Sequence, residues 1–287
     1  QLNRPDAYNS DLTWETTTTY NVGLDFGFID NRITGSLDYY FRETTDLLNT
    51  VYVPAGANFR NQVTSNIGSL ENTGFEASLN VKPIVSDDWY WDLGFNLTYN
   101  KNEITELIGE EGYYVATGGI SSGTGNTCQA HAVGHPASSF YVFQQVYDKN
   151  GLPLEGQYVD RNADGVINQD DKYFYKSPNA PWTAGFTSKL QYKDWDFSFS
   201  LRASFDNYVF NDLEAGTSCV SSSQIWAPSE YLSNRPLNVL EKNWQTYDNV
   251  LSDYFVQNAS FLKCDNITLA YSFDQLFAAT LGGRAYA

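Results

Sequence analysis

The stretch Tyr20-Asn21-Val22-Gly23-Leu24-Asp25-Phe26-Gly27-Phe28 decides the fold. Every second residue is apolar, and the residues between are small or polar. Successive side chains of a strand point to opposite faces, so this segment has one apolar and one wet face. The pattern returns at Trp91, Leu93, Phe95, Leu97 and Tyr99, and again at Trp195, Phe197, Phe199, Leu201, Ala203 and Phe205. Strands of about ten residues with aromatic ends match the height of a tilted strand crossing a bilayer core. The reading is an all-β fold, a transmembrane antiparallel β-barrel wall of the outer membrane.

Composition agrees. Aromatic residues make up 16% of the chain and the net charge is -17, which argues against nucleic acid as a partner. Mean hydropathy is -0.41 because alternation dilutes the apolar residues. No run approaches 18 apolar residues, so no transmembrane helix is expected. The chain begins at Gln1 and contains no Met, which is read as an internal piece of a longer protein. Of three Cys, a Cys128–Cys219 disulfide and three unpaired thiols both stay open, and Cys264 is expected on the wet face of its strand.

Working outward, strands are expected near 15–28, 32–48, 72–84, 89–101, 182–193, 195–210 and 259–273, with 284–287 opening an eighth. Asp30-Asn31-Arg32, Val85–Asp88, Lys193-Asp194 and Asp274–Gly283 are the short turns. Long connections fall at 49–71, 102–181 and 211–258 and are assigned to the extracellular side. All short turns fall on one side, a sorting that a soluble sandwich has no reason to show. Tyr141–Tyr147 is read as extended chain within a loop, since one extra strand would break the parity. The apolar faces, such as Phe75, Ala77 and Leu79 or Ile267, Leu269 and Tyr271, are assigned to lipid, and the small wet-face residues to a wide lumen.

Several stretches carry a family resemblance. They are Leu12–Asp25, Asp38-Tyr39-Tyr40 with Thr45-Asp46-Leu47-Leu48, Asn66-Ile67-Gly68 through Asn72-Thr73-Gly74-Phe75-Glu76, Tyr158–Gly165 and Leu251–Leu262. Together they resemble the barrel of SusC-like TonB-dependent outer-membrane transporters. The resemblance implies the C-terminal portion of a large plugged barrel, with the plug domain and TonB box outside this chain. It also implies import of oligosaccharides or peptides, energy from TonB, and a SusD-like surface lipoprotein as partner.

The sharpest local motif is Asp160-Arg161-Asn162-Ala163-Asp164-Gly165-Val166-Ile167-Asn168-Gln169-Asp170-Asp171, which opens as the calcium-loop pattern D-x-[DN]-x-[DN]-G. Its metal ligands would be Asp160, Asn162, Asp164, the Val166 carbonyl, Asn168 and Asp171, with Gly165 at the sharp turn. The competing reading is an acidic turn held by Asx hydrogen bonds. Aromatic loop residues Tyr113, Tyr114, Phe140, Tyr141, Phe143, Trp226, Tyr231, Trp244 and Tyr247 either stack on sugar rings or, the favoured reading, pack the loops. Gly118–Gly125 is a flexible tip that lacks the ending of a phosphate loop. His131 and His135 have no evident third ligand, and nothing in the chain points to an enzyme. The alternative class is a soluble or surface-attached glycan-binding β-module that contains calcium.

Overall fold

The computed structural model describes residues 7–52, 54, 56–60, 62–107, 112–122, 125–219, 236–246 and 248–273. Two long hairpins come first: β1 (Thr16–Phe28) with β2 (Ile33–Tyr52), then β3 (Gln62–Val85) with β4 (Trp89–Leu107). A run of short strands follows: β5 (Tyr114–Gly119), β6 (Thr127–Ala132), β7 (Ser139–Phe143), β8 (Gln145–Tyr147), β9 (Pro153–Tyr158) and β10 (Lys172–Phe174). A third hairpin is β11 (Trp182–Tyr192) with β12 (Trp195–Phe205). The chain then forms β13 (Tyr208–Phe210), α1 (Asp212–Thr217), α2 (Asn238–Lys242), β14 (Val256–Asn258) and β15 (Phe261–Tyr271).

Seven of these strands make one antiparallel sheet, ordered β1-β2-β3-β4-β11-β12-β15. The turns after β1, β3 and β11 are tight and lie at one end, and the long connections lie at the other. Ile29, Asp30 and Asn31 all take positive φ to close the first turn. Aromatic pairs cap the sheet at both ends. Tyr99 and Trp182 rings lie 4.6 Å apart at the long-loop end, and Trp89 and Tyr192 rings 4.2 Å apart at the turn end. Trp182 and Tyr192 bound the 11-residue β11. That is about 33 Å of strand, which a tilt of about 40° reduces to about 25 Å, the height of an outer-membrane apolar band. The fold is a β-barrel wall of the outer-membrane type.

Register makes the two faces continuous across the sheet. Phe26, Gly35, Leu79, Phe95, Phe186 and Leu201 are cross-strand partners on the lipid face. One step along, Gly27, Thr34, Asn80, Gly94, Thr187, Ser200 and Asn266 are partners on the other face. Lipid-face residues are apolar yet uncovered by protein: Val22 is 75% exposed and Ile267 69%.

Several boundaries differ from the sequence reading. β2 and β3 pair out to Tyr52↔Gln62, so the first long connection spans 53–61 rather than 49–71. A register irregularity between Thr44 and Leu47, with Asp46 at φ 58°, shifts the alternation there and hides the extension. β4 likewise continues to Leu107. β12 stops at Phe205, and Tyr208–Phe210 pairs with β14 instead of extending the wall. Cys264 lies opposite Leu201 on the lipid face, because a bulge between Ser200 and Leu201 inserts Asp265. Residues 284–287 lie outside the described residues.

Above the wall sits an assembly with its own cores. β10-β7-β6-β5 form a four-stranded sheet, and β8-β9 and β13-β14 form two-stranded ones. Cys128, Phe140, Val142 and Val256 make one buried cluster, and Ala215, Trp244 and Phe255 another. Tyr141–Tyr147, read from sequence as extended loop, supplies β8 and much of β7. Cys128 and Cys219 are buried thiols, not a disulfide.

Candidate functional site

The polar face of the wall is the first candidate. Asp25, Thr34, Ser78, Asn96, Thr187 and Arg202 border a shallow concavity of about 970 Å³. Small residues there seat the polar side chains of neighbouring strands. Tyr40 lies across Gly74 and donates its hydroxyl to Asn100 Oδ1 at 3.0 Å. Asn96 occupies the space over Gly185, where a Cβ would meet it at 2.6 Å. The bulge has a charge role. Arg202 and Lys263 face each other across the β12–β15 pair, and the inserted Asp265 reaches both, at 3.3 and 3.9 Å. The glycines of this face therefore hold a packed polar lining as well as leaving space.

The assembly above the wall is the second candidate. Its buried charge centres on Glu214, N-capped by Asn211. The Glu214 carboxylate accepts from Lys242 Nζ at 2.9 Å, Asn238 Nδ2 at 2.6 Å and Gln257 Nε2 at 2.8 Å. Burial works against the charge, but these donors hold its carboxyl below the usual range. Lys242 also lies 4.7 Å from the Tyr254 ring and 5.0 Å from that of Trp244. This knot ties α1, α2 and β14 together, and sequence reading missed it because its members are scattered over 47 positions from Asn211 to Gln257. Ser121 and Ser122 are pinned too, as Asp212 accepts from the backbone N–H of both. The described part of the Gly118–Gly125 tip is thus anchored.

Asp160–Asp171 connects β9 to β10. Gly165 takes φ 83° at the expected turn and donates its N–H to Asp160 Oδ2 at 2.8 Å. The other oxygen, Asp160 Oδ1, is buried without a hydrogen-bond partner. Asp171 is fully buried. Its two oxygens accept from Arg161 N–H and Asn168 N–H, each at 2.8 Å. The Asn168 N–H and the other backbone donors hold the Asp171 carboxyl below its ordinary value, and it lies against that of Asp160. Asn162 and Asp164 face each other, with Asn162 Nδ2 donating to Asp164 Oδ2 at 3.0 Å. Asn168 holds the turn that carries Asp171. It caps the 3-10 turn Gln169–Asp171, its Oδ1 accepting from Asp170 N–H at 2.7 Å. Among the described residues, no three His, Cys, Asp or Glu side chains converge on a single point.

The aromatic candidates divide. Phe140, Phe143 and Trp244 are core residues. Tyr114, Tyr141 and Phe174 pack in series at 4.8 Å steps with their rings tilted by 50° and 32°, and His135 stacks on Phe174 at 4.0 Å. Tyr113 is exposed. Trp226, Tyr231 and Tyr247 lie outside the described residues. His131 Nδ1 accepts from Ser138 N–H at 3.1 Å, and burial pushes both His below their ordinary range, so both are neutral packing residues.

Residues 2–207 match a family described as TonB dependent receptor-like, beta-barrel. TonB-dependent receptor SusC of Bacteroides thetaiotaomicron is 53% identical over 99% of this chain and 29% of its own length. TonB-dependent receptor P26 of Formosa agariphila is 30% identical over 94% of this chain and 29% of its own length. Among solved structures, the RagAB peptide importer in the 'open-open' state superposes with a TM-score of 0.73 at 25% identity, over 97% of this chain and 31% of that one. This chain thus spans under a third of the length of the relatives it matches.

Proposed function

The chain belongs to the TonB-dependent receptor β-barrel family, and on that premise we propose that it is the wall and external-loop segment of an outer-membrane nutrient importer. Transport is driven through TonB, and a SusD-like lipoprotein covers the extracellular mouth. The observation that carries this reading is the pair of continuous faces, apolar toward lipid and polar toward the concavity. An outward apolar band capped by aromatics suits lipid, whereas a soluble glycan-binding module needs a polar exterior.

The lining favours oligosaccharide over peptide. The row Thr34, Asn80, Thr187, Ser200 and Asn266 offers neutral hydroxyl and amide groups, donors and acceptors that match sugar hydroxyls. The tilted Tyr114, Tyr141 and Phe174 rings supply apolar faces outside the wall. No catalytic step enters the proposal.

The test is uptake by cells with and without the full-length protein, using labelled neutral oligosaccharides and peptides of matched size. Loss of sugar entry on deletion, and equally on TonB removal, is the expected result. Unchanged entry of both solutes overturns import, and loss of peptide entry alone overturns the sugar assignment. Co-purification from outer membranes checks the lipoprotein.

A further inference from the structure

We propose that Phe261 and Arg202 form a sugar-ring subsite on the polar face of the wall, where one neutral pyranose unit of the transported oligosaccharide stacks on the Phe261 ring. The subsite rests on the reading of this chain as part of an oligosaccharide importer. In β15, Tyr271, Leu269 and Ile267 share the lipid face. Strict alternation would put Phe261 on that face as well. The bulge that inserts Asp265 reverses the phase, so Leu262 and Cys264 face lipid while Lys263 and Phe261 join the polar face. There Phe261 pairs with Ser204, whose other partner is Thr183. An apolar ring thus stands in a row of hydroxyls, at the long-loop end of the concavity that it helps to line.

The same bulge fixes the neighbour of the ring. Asp265 Oδ2 lies 3.3 Å from Arg202 Nε, and Asp265 Oδ1 accepts from Arg202 Nη2 at 3.4 Å. The guanidinium so held lies 5.6 Å from the centre of the Phe261 ring. Ring and guanidinium sit side by side, both on the lining of the concavity. Arg202 Nη1 has no hydrogen-bond partner among the described residues, which leaves its donors for a ligand.

A pyranose presents a flat patch of C–H groups and a rim of hydroxyls. The patch suits an aromatic ring, through dispersion and through the water released from both apolar surfaces. The rim suits groups that donate and groups that accept, held close together. Here Arg202 donates, the Asp265 carboxylate accepts, and the exposed Thr183 hydroxyl can do either. Arg202 and Asp265 cancel in charge. Lys263 lies farther from the carboxylate, at 3.9 Å, with an exposed side chain that keeps its water. The pair therefore fits an uncharged ring.

The experiment uses the full-length transporter purified in detergent. Calorimetry records binding of neutral hexaoses of glucose, mannose, galactose or xylose, and of hexagalacturonate as the anionic probe. Wild type is expected to bind at least one neutral hexaose. Phe261→Ala should weaken that binding by about ten-fold or more, while Phe261→Tyr, which keeps the flat ring, should stay within about two-fold. Phe261→Leu keeps apolar bulk without the flat face and should resemble Phe261→Ala. Arg202→Gln should weaken binding by about five-fold. Heat-modifiable mobility checks that each variant is folded, and where Phe261→Ala fails that check, Phe261→Leu carries the comparison. Wild type that binds no neutral hexaose overturns the sugar-import reading and the subsite together. Binding that the Ala and Leu variants leave unchanged overturns the subsite alone, as does tighter binding of hexagalacturonate than of every neutral hexaose.

Discussion

The wall and the assembly above it use the same apolar residue types against different solvents. In the wall, Val22, Leu24 and Ile267 are more than half exposed, because their environment is lipid. In the assembly, Trp244, Phe255 and Val142 are at or below 1% exposure, because theirs is protein. Backbone ladders running the length of seven strands hold the first region. Small cores and buried polar knots, such as Glu214 with Lys242, hold the second. One region is therefore sensitive to which face a residue takes, and the other to volume and to the pairing of buried charge.

The largest effect that sharpens this contrast is expected at Trp244. Trp244→Ala empties the second core and removes the Nε1 donation to Pro153 O at 3.2 Å. A loss of about 3–5 kcal/mol is expected. Hydrogen exchange on the full protein should show it as loss of protection confined to 108–181 and 208–258. Equal loss of protection in β11 and β12 would break the comparison, because the regions would then fold as one unit.

A smaller effect is expected in the wall. Phe95 lies mid-height on the lipid face, opposite Phe186, and Phe95→Arg should cost about 2–4 kcal/mol in folding into vesicles. Ser78→Arg, on the polar face, should cost under about 1 kcal/mol, since charge there meets water. Similar costs at the two sites would mean that the assigned faces are not separated into lipid and water.

The same contrast explains what the sequence revealed. Wall strands such as Thr16–Phe28 and Trp195–Phe205 repeat with period two over most of their length, so lipid writes a regular pattern. The pattern fails where the chain leaves lipid or bulges. Asp46 breaks the phase in β2, and Asp265 reverses the face of Cys264. In the assembly, strands of three to six residues bury residues by local packing, and no period survives in pieces that short. The Asp160–Asp171 loop stands apart. Its run of oxygen-bearing side chains is legible in the sequence, yet the capping role of Asn168 is not, since the same amide suits a cap or a ligand.

The smallest effect separates the regions by pH. Both His residues of the chain, His131 and His135, belong to the assembly, and burial lowers the pKa of each. The unfolded chain therefore takes up protons first as pH falls through about 6.5. The contribution of the neutral imidazoles is complete above that pH and is lost progressively below it. Protonated His131 also forfeits the acceptor for Ser138 N–H. Buried carboxylates do not share this direction throughout, since burial raises the Asp253 pKa, so the window from pH 7.5 to 6 isolates the imidazoles best. Across it, protease resistance of the assembly should fall by less than Trp244→Ala causes, while the wall, which has no His in its described strands, stays unchanged. His131→Gln with His135→Gln should flatten that slope. A slope that persists in the double variant would place the titration elsewhere and leave the two His as inert packing.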